Sequence, residues 1–145
     1  MKFGILQLNS TIGDYDANRA RLVAAYEQAC RHRAEFVIAP ELFLCGYPPR
    51  DFLDFPEFLD RAALALADLA RPAAWSSGIA IAVGFPEAAR GAPPPGVYNS
   101  VALVADGKVA AVGRKSLLPT YDVFDETRYF LPADRSTAAD AAPFA

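Results

Sequence analysis

The sequence predicts an α/β protein built around a mixed β-sheet. One observation is a strand–helix–strand order near the start of the chain, which is typical of a parallel βαβ unit. The other is the dipeptide Asp106-Gly107 between two apolar runs, which indicates an antiparallel hairpin because both turn positions favour positive φ. A sheet that contains both kinds of pairing is mixed.

The βαβ unit begins with an apolar strand over Lys2–Asn9. Asp14 or Asp16 can cap the next helix by accepting a hydrogen bond from a free backbone N–H, and the helix is expected to reach about Arg33. Apolar side chains recur at helical spacing and predict its buried stripe: Leu22, Val23, Tyr26, Ala29 and Cys30. The run Glu35–Ala39, ended by a proline, predicts the second strand.

The remaining elements follow from apolar runs and turn residues. A second helix is expected over about Pro56–Ala70, because proline is tolerated in a first helical turn. A third buried strand is expected over Gly78–Phe85, and a proline-rich loop over Ala88–Gly96. The two hairpin strands are Val97–Ala105 and Lys108–Lys115.

Composition excludes several classes of function. With 53% hydrophobic and 21% charged residues among 145, the chain reads as globular and as one domain or less. Its net charge of -3, without a basic run, argues against nucleic-acid binding. The apolar stretch Phe58–Ala70 contains charges and falls short of the about 20 residues that span a membrane. A cytoplasmic protein is therefore expected. With two cysteines and one histidine, neither a disulfide framework nor a metal site is predicted.

A carboxylate and an amine follow two of the predicted strands. Glu41 comes directly after the second strand, and Lys115 ends the last strand of the hairpin. Considered alone, each residue is expected to be a charged side chain exposed to solvent. Together, both can reach one crevice at a sheet edge, where they would perturb each other's pKa and could serve as base and cation.

Two blocks around these residues resemble the nitrilase, or carbon–nitrogen hydrolase, superfamily. That superfamily uses a Glu–Lys–Cys triad, with the glutamate after proline and the lysine in a Lys-x-x-Leu-Pro context. The blocks Pro40–Asp51 and Gly113–Phe130 carry these contexts, and Tyr98-Asn99-Ser100 is similar to a strand motif of the family. Within the superfamily, the sequence resembles the N-terminal glutaminase domains of glutamine-dependent NAD+ synthetases. Two motifs carry this resemblance, Gly-Tyr-Pro-Pro and Val-Phe-Asp-Glu-x-Arg-Tyr-Phe.

The resemblance implies roles for individual residues. Glu41 would be the general base, and Lys115 the cation that stabilises the tetrahedral oxyanion. Three residues would line or shape the glutamine pocket: Tyr47, Tyr121 and Glu126. Arg128 is expected to pair with a nearby carboxylate rather than with substrate.

The resemblance also implies an architecture and partners. The fold would be a four-layer α-β-β-α sandwich, with residues 1–145 as the N-terminal portion of the amidohydrolase domain. The amidase part would need no cofactor, whereas ATP and Mg²⁺ would bind a C-terminal NAD+ synthetase domain that these residues lack. Glutamine would be the substrate, the released ammonia would amidate nicotinic acid adenine dinucleotide, and the protein would form homo-oligomers.

The nucleophile of the family is a cysteine that follows the lysine, and this sequence has no cysteine after Cys45. Cys30 lies on the apolar stripe of the first helix and reads as a core thiol, and Cys45 does not match the nucleophile. These residues alone are therefore expected to be inactive. Two alternatives remain open: a stand-alone amidase for another small amide, and a catalytically inactive binding module.

Overall fold

A computed structural model describes residues 1–71, 78–89, 91–92, 95–134, 137 and 139–140. Its helices and strands follow the chain in this order: β1 (Phe3–Ile5), α1 (Tyr15–Arg31), β2 (Phe36–Ile38), α2 (Pro56–Leu69), β3 (Ala80–Ala88), β4 (Val97–Ala105), β5 (Lys108–Arg114), α3 (Glu126–Tyr129) and β6 (Ala139–Asp140). A short 3-10 helix, Arg50–Asp54, precedes α2.

The strands form one sheet in the order of the sequence. β1, β2 and β3 pair in parallel, whereas β4, β5 and β6 continue the sheet with antiparallel pairing. The β4–β5 turn places Asp106 at φ 51° and Gly107 at φ 72°, the positive values that this dipeptide favours. The predicted mixed α/β sheet and its hairpin are confirmed.

Of the two predicted capping residues, Asp14 caps helix α1 and Asp16 lies in its first turn. The Asp14 carboxylate accepts a hydrogen bond from the backbone N–H of Ala17 at 3.2 Å. Leu22 and Tyr26, from the predicted apolar stripe, have no exposed surface. The helix ends at Arg31 rather than near Arg33, because Arg33 adopts a φ of 60° and leaves the helical conformation.

β2 and β5 lie within one residue of their predicted bounds at each end, whereas β1 and β3 differ by more. β1 spans Phe3–Ile5 instead of Lys2–Asn9, because its partner β2 offers only three paired residues. β3 begins later and continues to Ala88, because its antiparallel pairing with β4 extends to Val97. Part of the predicted loop 88–96 lies outside the described residues.

The core lies on one face of the sheet. α1 and α2 pack in one cluster with buried strand residues such as Val37, Ile81 and Val83. Apolar side chains on the opposite face stay exposed, among them Phe3, Ile5, Ile38 and Val101. The described residues thus form one helical layer and one sheet, two of the layers that the expected four-layer sandwich would contain. Among the described residues, every helix is too short or too polar to cross a membrane.

Candidate active site

The segment that carries Glu41 is anchored in the core. The next four residues, Leu42 to Cys45, have no exposed surface. The Leu44 N–H donates to the Gly84 carbonyl at 3.2 Å, and the buried Asn18 side chain donates to the Leu44 carbonyl at 3.1 Å. The Glu41 side chain itself is 47% exposed, so a partly exposed carboxylate is attached to a segment that is anchored in the core.

Lys115 reaches the same carboxylate from the end of β5. Its Nζ donates to Oε1 of Glu41 at 2.8 Å. The same oxygen accepts a hydrogen bond from Nδ2 of Asn99 at 2.6 Å. Lys115 and Asn99 are also linked through their backbones, because the Lys115 N–H donates to the Asn99 carbonyl at 2.9 Å. The ends of β2, β4 and β5 therefore meet at one carboxylate.

Glu126, the first residue of α3, holds Lys115 from the other side. Nζ of Lys115 lies 3.1 Å from Oε1 of Glu126, to which it donates, and 2.8 Å from Oε2. The Glu126 side chain is 7% exposed, and its backbone N–H donates to the Pro119 carbonyl at 3.1 Å. The ammonium is thus clamped between two carboxylates.

This clamp keeps the lysine charged. Burial by itself lowers the pKa of Lys115, but the hydrogen bonds and charges of Glu126 and Glu41 outweigh that effect and raise it. The pKa of the nearby Tyr47 phenol is also raised, first by burial and then by the charges of Glu126 and Glu41. The site therefore presents a cation, two anions and a neutral phenol.

The residues expected to line a glutamine pocket lie at two cavities. Tyr47 and Glu126 line a cavity of about 350 Å³, with Phe124 and Phe130 among its other walls. Tyr121, which is 70% exposed, lies instead at an open cavity of about 660 Å³ next to Lys115. The structure brings Tyr47 and Glu126 together but does not bring Tyr121 into their cavity. The substrate contacts of all three stay predictions.

Arg128 pairs with a carboxylate, as expected. Its Nη2 lies 3.4 Å from Oδ1 of Asp51, and the Tyr129 hydroxyl donates to the same oxygen at 3.1 Å. These contacts join α3 to the segment that follows Glu41.

Two features of the site were missed in the sequence. The motif Tyr98-Asn99-Ser100 contains Asn99, but nothing in the motif indicates that its side chain donates to Glu41. The second feature is a polar group formed by Glu87 and by the chain neighbours of Asn99 and Lys115, which are Ser100 and Arg114. There Arg114 binds the Glu87 carboxylate with Nε at 2.7 Å and with a second nitrogen, and the Ser100 hydroxyl donates to it at 2.7 Å.

Neither cysteine is placed to act as the nucleophile. Cys45 has no exposed surface, and its thiol donates to the carbonyls of Leu42 and Gly46 at 3.4 and 3.3 Å. Burial raises the pKa of Cys45 to about 12, so the neutral thiol is favoured. Cys30 is a partly buried residue of α1 that packs against the core. The contact between the Glu41 carboxylate and the Lys115 ammonium is present, but the structure offers no exposed thiol among the two cysteines to act beside it.

The described residues contain no group of three His, Cys, Asp or Glu side chains that could hold a metal ion.

Comparison with known proteins identifies the family. Residues 2–142 match the carbon-nitrogen hydrolase family. The chain belongs to the carbon-nitrogen hydrolase family. The resemblance to this superfamily, seen in the sequence motifs, is confirmed.

The relatives of this carbon-nitrogen hydrolase chain include longer proteins named glutamine-dependent NAD(+) synthetase. It is 42% identical over 135 residues to the glutamine-dependent NAD(+) synthetase of Synechocystis sp., covering 91% of this chain and 24% of that protein. It is 35% identical to the synthetase of the same name from Thermotoga maritima, covering 92% of this chain and 22% of that protein. The chain thus spans about a quarter of the length of these curated relatives.

Solved structures confirm the fold. The glutamine-dependent NAD+ synthetase of Acinetobacter baumannii superposes with a TM-score of 0.79 at 34% identity, over 92% of this chain and 24% of that chain. An amidase from Nesterenkonia sp. superposes with a TM-score of 0.71 at 26% identity, over 93% of this chain and 49% of that chain. The nitrilase-like α/β architecture expected from the sequence is therefore correct.

Proposed function

We propose that residues 1–145 are the N-terminal portion of a glutamine amidohydrolase domain that supplies ammonia to an NAD+ synthetase. The observation that carries the proposal is the 2.8 Å contact between Lys115 Nζ and Glu41 Oε1 at the ends of two strands. Relatives that are glutamine-dependent NAD+ synthetases support the choice of substrate. The relatives' greater length supports the division into a larger domain and a separate synthetase domain.

In the proposed first half-reaction, the Glu41 carboxylate takes the proton of a cysteine thiol. The thiolate attacks the side-chain amide carbon of glutamine, and the carbonyl π electrons move onto oxygen. The Lys115 ammonium stabilises this oxyanion, since it is charged and held in place before substrate arrives. Glu41 then donates its proton to the departing nitrogen, which leaves as ammonia while a thioester remains.

In the second half-reaction, Glu41 takes a proton from water, and the resulting hydroxide attacks the thioester carbon. The C–S bond breaks, the thiolate regains a proton from Glu41, and glutamate is released. Glu126 is proposed to orient Lys115 through the contact between its carboxylate and Nζ. Tyr47 is proposed to form a wall of the glutamine pocket with the cavity residues around it, and Tyr121 to close that pocket from the neighbouring cavity.

The nucleophilic cysteine is proposed to lie in a part of the full protein beyond these residues. ATP and Mg²⁺ would bind the synthetase domain, whose product is NAD+ formed from nicotinic acid adenine dinucleotide. Homo-oligomers and a cytoplasmic location stay predictions.

The proposal is tested with the full gene product and with residues 1–145 alone. Both are incubated with glutamine labelled with ¹⁵N at the side-chain amide, together with ATP, Mg²⁺ and nicotinic acid adenine dinucleotide. The full product is expected to place the label in the amide of NAD+, and residues 1–145 are expected to release no ammonia.

Other outcomes would point to the alternatives. Ammonia release from simple amides but not from glutamine would indicate a stand-alone amidase. Binding of glutamine without ammonia release by the full product would indicate an inactive binding module.

A further inference from the structure

A glycine of the central strand β3 lies directly beneath the Glu41 backbone. A Cβ on Gly84 would lie 2.3 Å from the backbone nitrogen of Leu42 and 2.9 Å from the carbonyl carbon of Glu41. It would also lie 2.9 Å from the carbonyl oxygen of Pro40. All three atoms belong to the backbone, so no flexible side chain could turn away to make room.

The surroundings leave few ways to relieve such a contact. β3 lies inside the sheet, where Gly84 is the partner of Val101 on β4. Beyond Glu41, the buried Leu44 is tied back to Gly84 by its own backbone hydrogen bond. Before Glu41, the Ala39 N–H donates to the Ala82 carbonyl at 2.9 Å. A Cβ on Gly84 would therefore displace the peptide groups on either side of Glu41, which lie between these two anchored points.

We propose that Gly84 is a positioning residue for Glu41. Because Gly84 has no side chain, the Glu41 peptide can pack directly against β3, and from that position Glu41 Oε1 accepts hydrogen bonds from both Lys115 and Asn99. This inference rests on the proposed role of Glu41 as the general base. It assigns a role in catalysis to a residue that touches neither substrate nor the reacting atoms.

The size of the effect follows from the geometry. Ordinary contacts of a Cβ begin near 3.4 Å, whereas the distance to Leu42 N would be 2.3 Å. The Glu41 peptide would thus have to move by about 1 Å, a displacement that can cost about 10²-fold in rate. Because Oε1 is bound at 2.6 Å by Asn99 and at 2.8 Å by Lys115, such a shift would break or lengthen both hydrogen bonds.

The test is the variant Gly84→Ala in the full gene product. Glutaminase kcat is expected to fall about 10²-fold, with a much smaller change in KM, while synthesis driven by added ammonia is retained. Gly78→Ala is the matched control, because a Cβ at Gly78 would meet nothing within 4 Å. Ile81→Val, in the buried face of the same strand, controls for a general loss of stability.

A second readout does not depend on turnover. NMR titration of the Lys115 ammonium is expected to give a lower pKa in Gly84→Ala than in the unchanged protein, because Glu41 is one of its two carboxylate partners. The Ile81→Val and Gly78→Ala variants are expected to leave it unchanged. Unchanged kcat and an unchanged Lys115 pKa in Gly84→Ala would overturn the proposal, as would an equal loss of kcat in Ile81→Val at matched stability.

If Gly84→Ala fails to fold, hydrogen exchange of the unchanged protein tests whether the Glu41 segment packs on β3. The Leu44 amide, which donates to the Gly84 carbonyl, is expected to be as protected as the amides between β3 and β4. Exchange as fast as that of an exposed loop would mean that the segment does not rest on β3, and the proposal would be rejected. If the unchanged full product has no glutaminase activity, the proposed function fails instead, and the NMR and exchange results still judge the placement of Glu41.

Discussion

The two segments that supply the candidate site are built in opposite ways. After β2, the residues Leu42 to Cys45 are fully buried and hydrogen-bonded to α1 and β3. After β5, Leu117, Tyr121 and Val123 are 86%, 70% and 79% exposed. The first segment is positioned by the hydrophobic core, whereas the second is positioned by a few polar contacts. The difference indicates that the fold fixes the backbone of Glu41, whereas the loop after Lys115 is held by fewer contacts.

Lys115 joins the two segments, since it binds Glu41 of the first and Glu126 at the end of the second. The largest effect is therefore expected for Lys115→Ala in the full gene product. Glutamine-dependent ammonia release should fall by about 10²–10⁴-fold, because the oxyanion loses its cation. Steady-state ammonia release measures this loss, and a loss of less than tenfold would contradict the role assigned to Lys115.

The comparison predicts unequal stability effects for two leucines. Leu44→Ala is expected to lower the free energy of unfolding by about 2–5 kcal/mol, because it empties a fully buried position. Leu117→Ala, at a position that is 86% exposed, should change it by less than about 0.5 kcal/mol. Urea denaturation of both variants measures the difference. Similar losses of unfolding free energy at the two positions would contradict the difference in burial between the two segments.

The polar supports of the two segments are expected to differ in the same direction. Asn18→Ala should cost about 1–3 kcal/mol, because it leaves the buried Leu44 carbonyl without the amide that donates to it. Asp51→Asn removes a contact between side chains that are more than 60% exposed, so about 1 kcal/mol or less is expected. Thermal unfolding of the two variants would refute this ranking if Asp51→Asn were the more damaging.

The smallest effect concerns pH. The pKa of Lys115 is raised in the folded state, so its stabilising contribution is complete below the ordinary value of 10.5 and is lost as pH rises through the folded value. The difference in unfolding free energy between the unchanged protein and Lys115→Met should therefore shrink above about pH 10.5. The unfolding free energies of both proteins are measured by denaturation at a series of alkaline pH values. A difference between them that grew with pH would contradict a stabilising contact between the Lys115 ammonium and its two carboxylates.

Local signals in the sequence predicted local structure well. Asp14 and Asp16 together indicated the start of α1, because a short carboxylate can bind a free N–H at a helix start, and the structure shows Asp14 in that role. Asp106 and Gly107 identified the hairpin, because few residues adopt positive φ. The length of β1 was wrong, because it depends on how many residues β2 offers in pairing, and that partner lies more than thirty residues away.

The candidate site was predicted in outline only. The meeting of Glu41 with Lys115 followed from their positions at strand ends. The hydrogen bond from Asn99 to Glu41 spans 58 residues of sequence, and no local pattern specifies it. Glu126 contacts Lys115, whereas Tyr121 lies at another cavity. Both placements depend on the path of the exposed loop and on the position of the short helix α3. The sequence does not predict α3, because four residues are too few for a periodic pattern.

The most direct test of the account is Glu41→Gln in the full gene product, with the exposed Glu57→Gln as the matched control. Both variants are assayed for NAD+ synthesis driven by glutamine and, separately, by added ammonia. Glu41→Gln is expected to lose about 10²–10⁴-fold of the glutamine-driven rate and to keep the ammonia-driven rate, because only the general base is removed. Retention of glutamine-driven synthesis by Glu41→Gln, at the level of Glu57→Gln, would contradict the account.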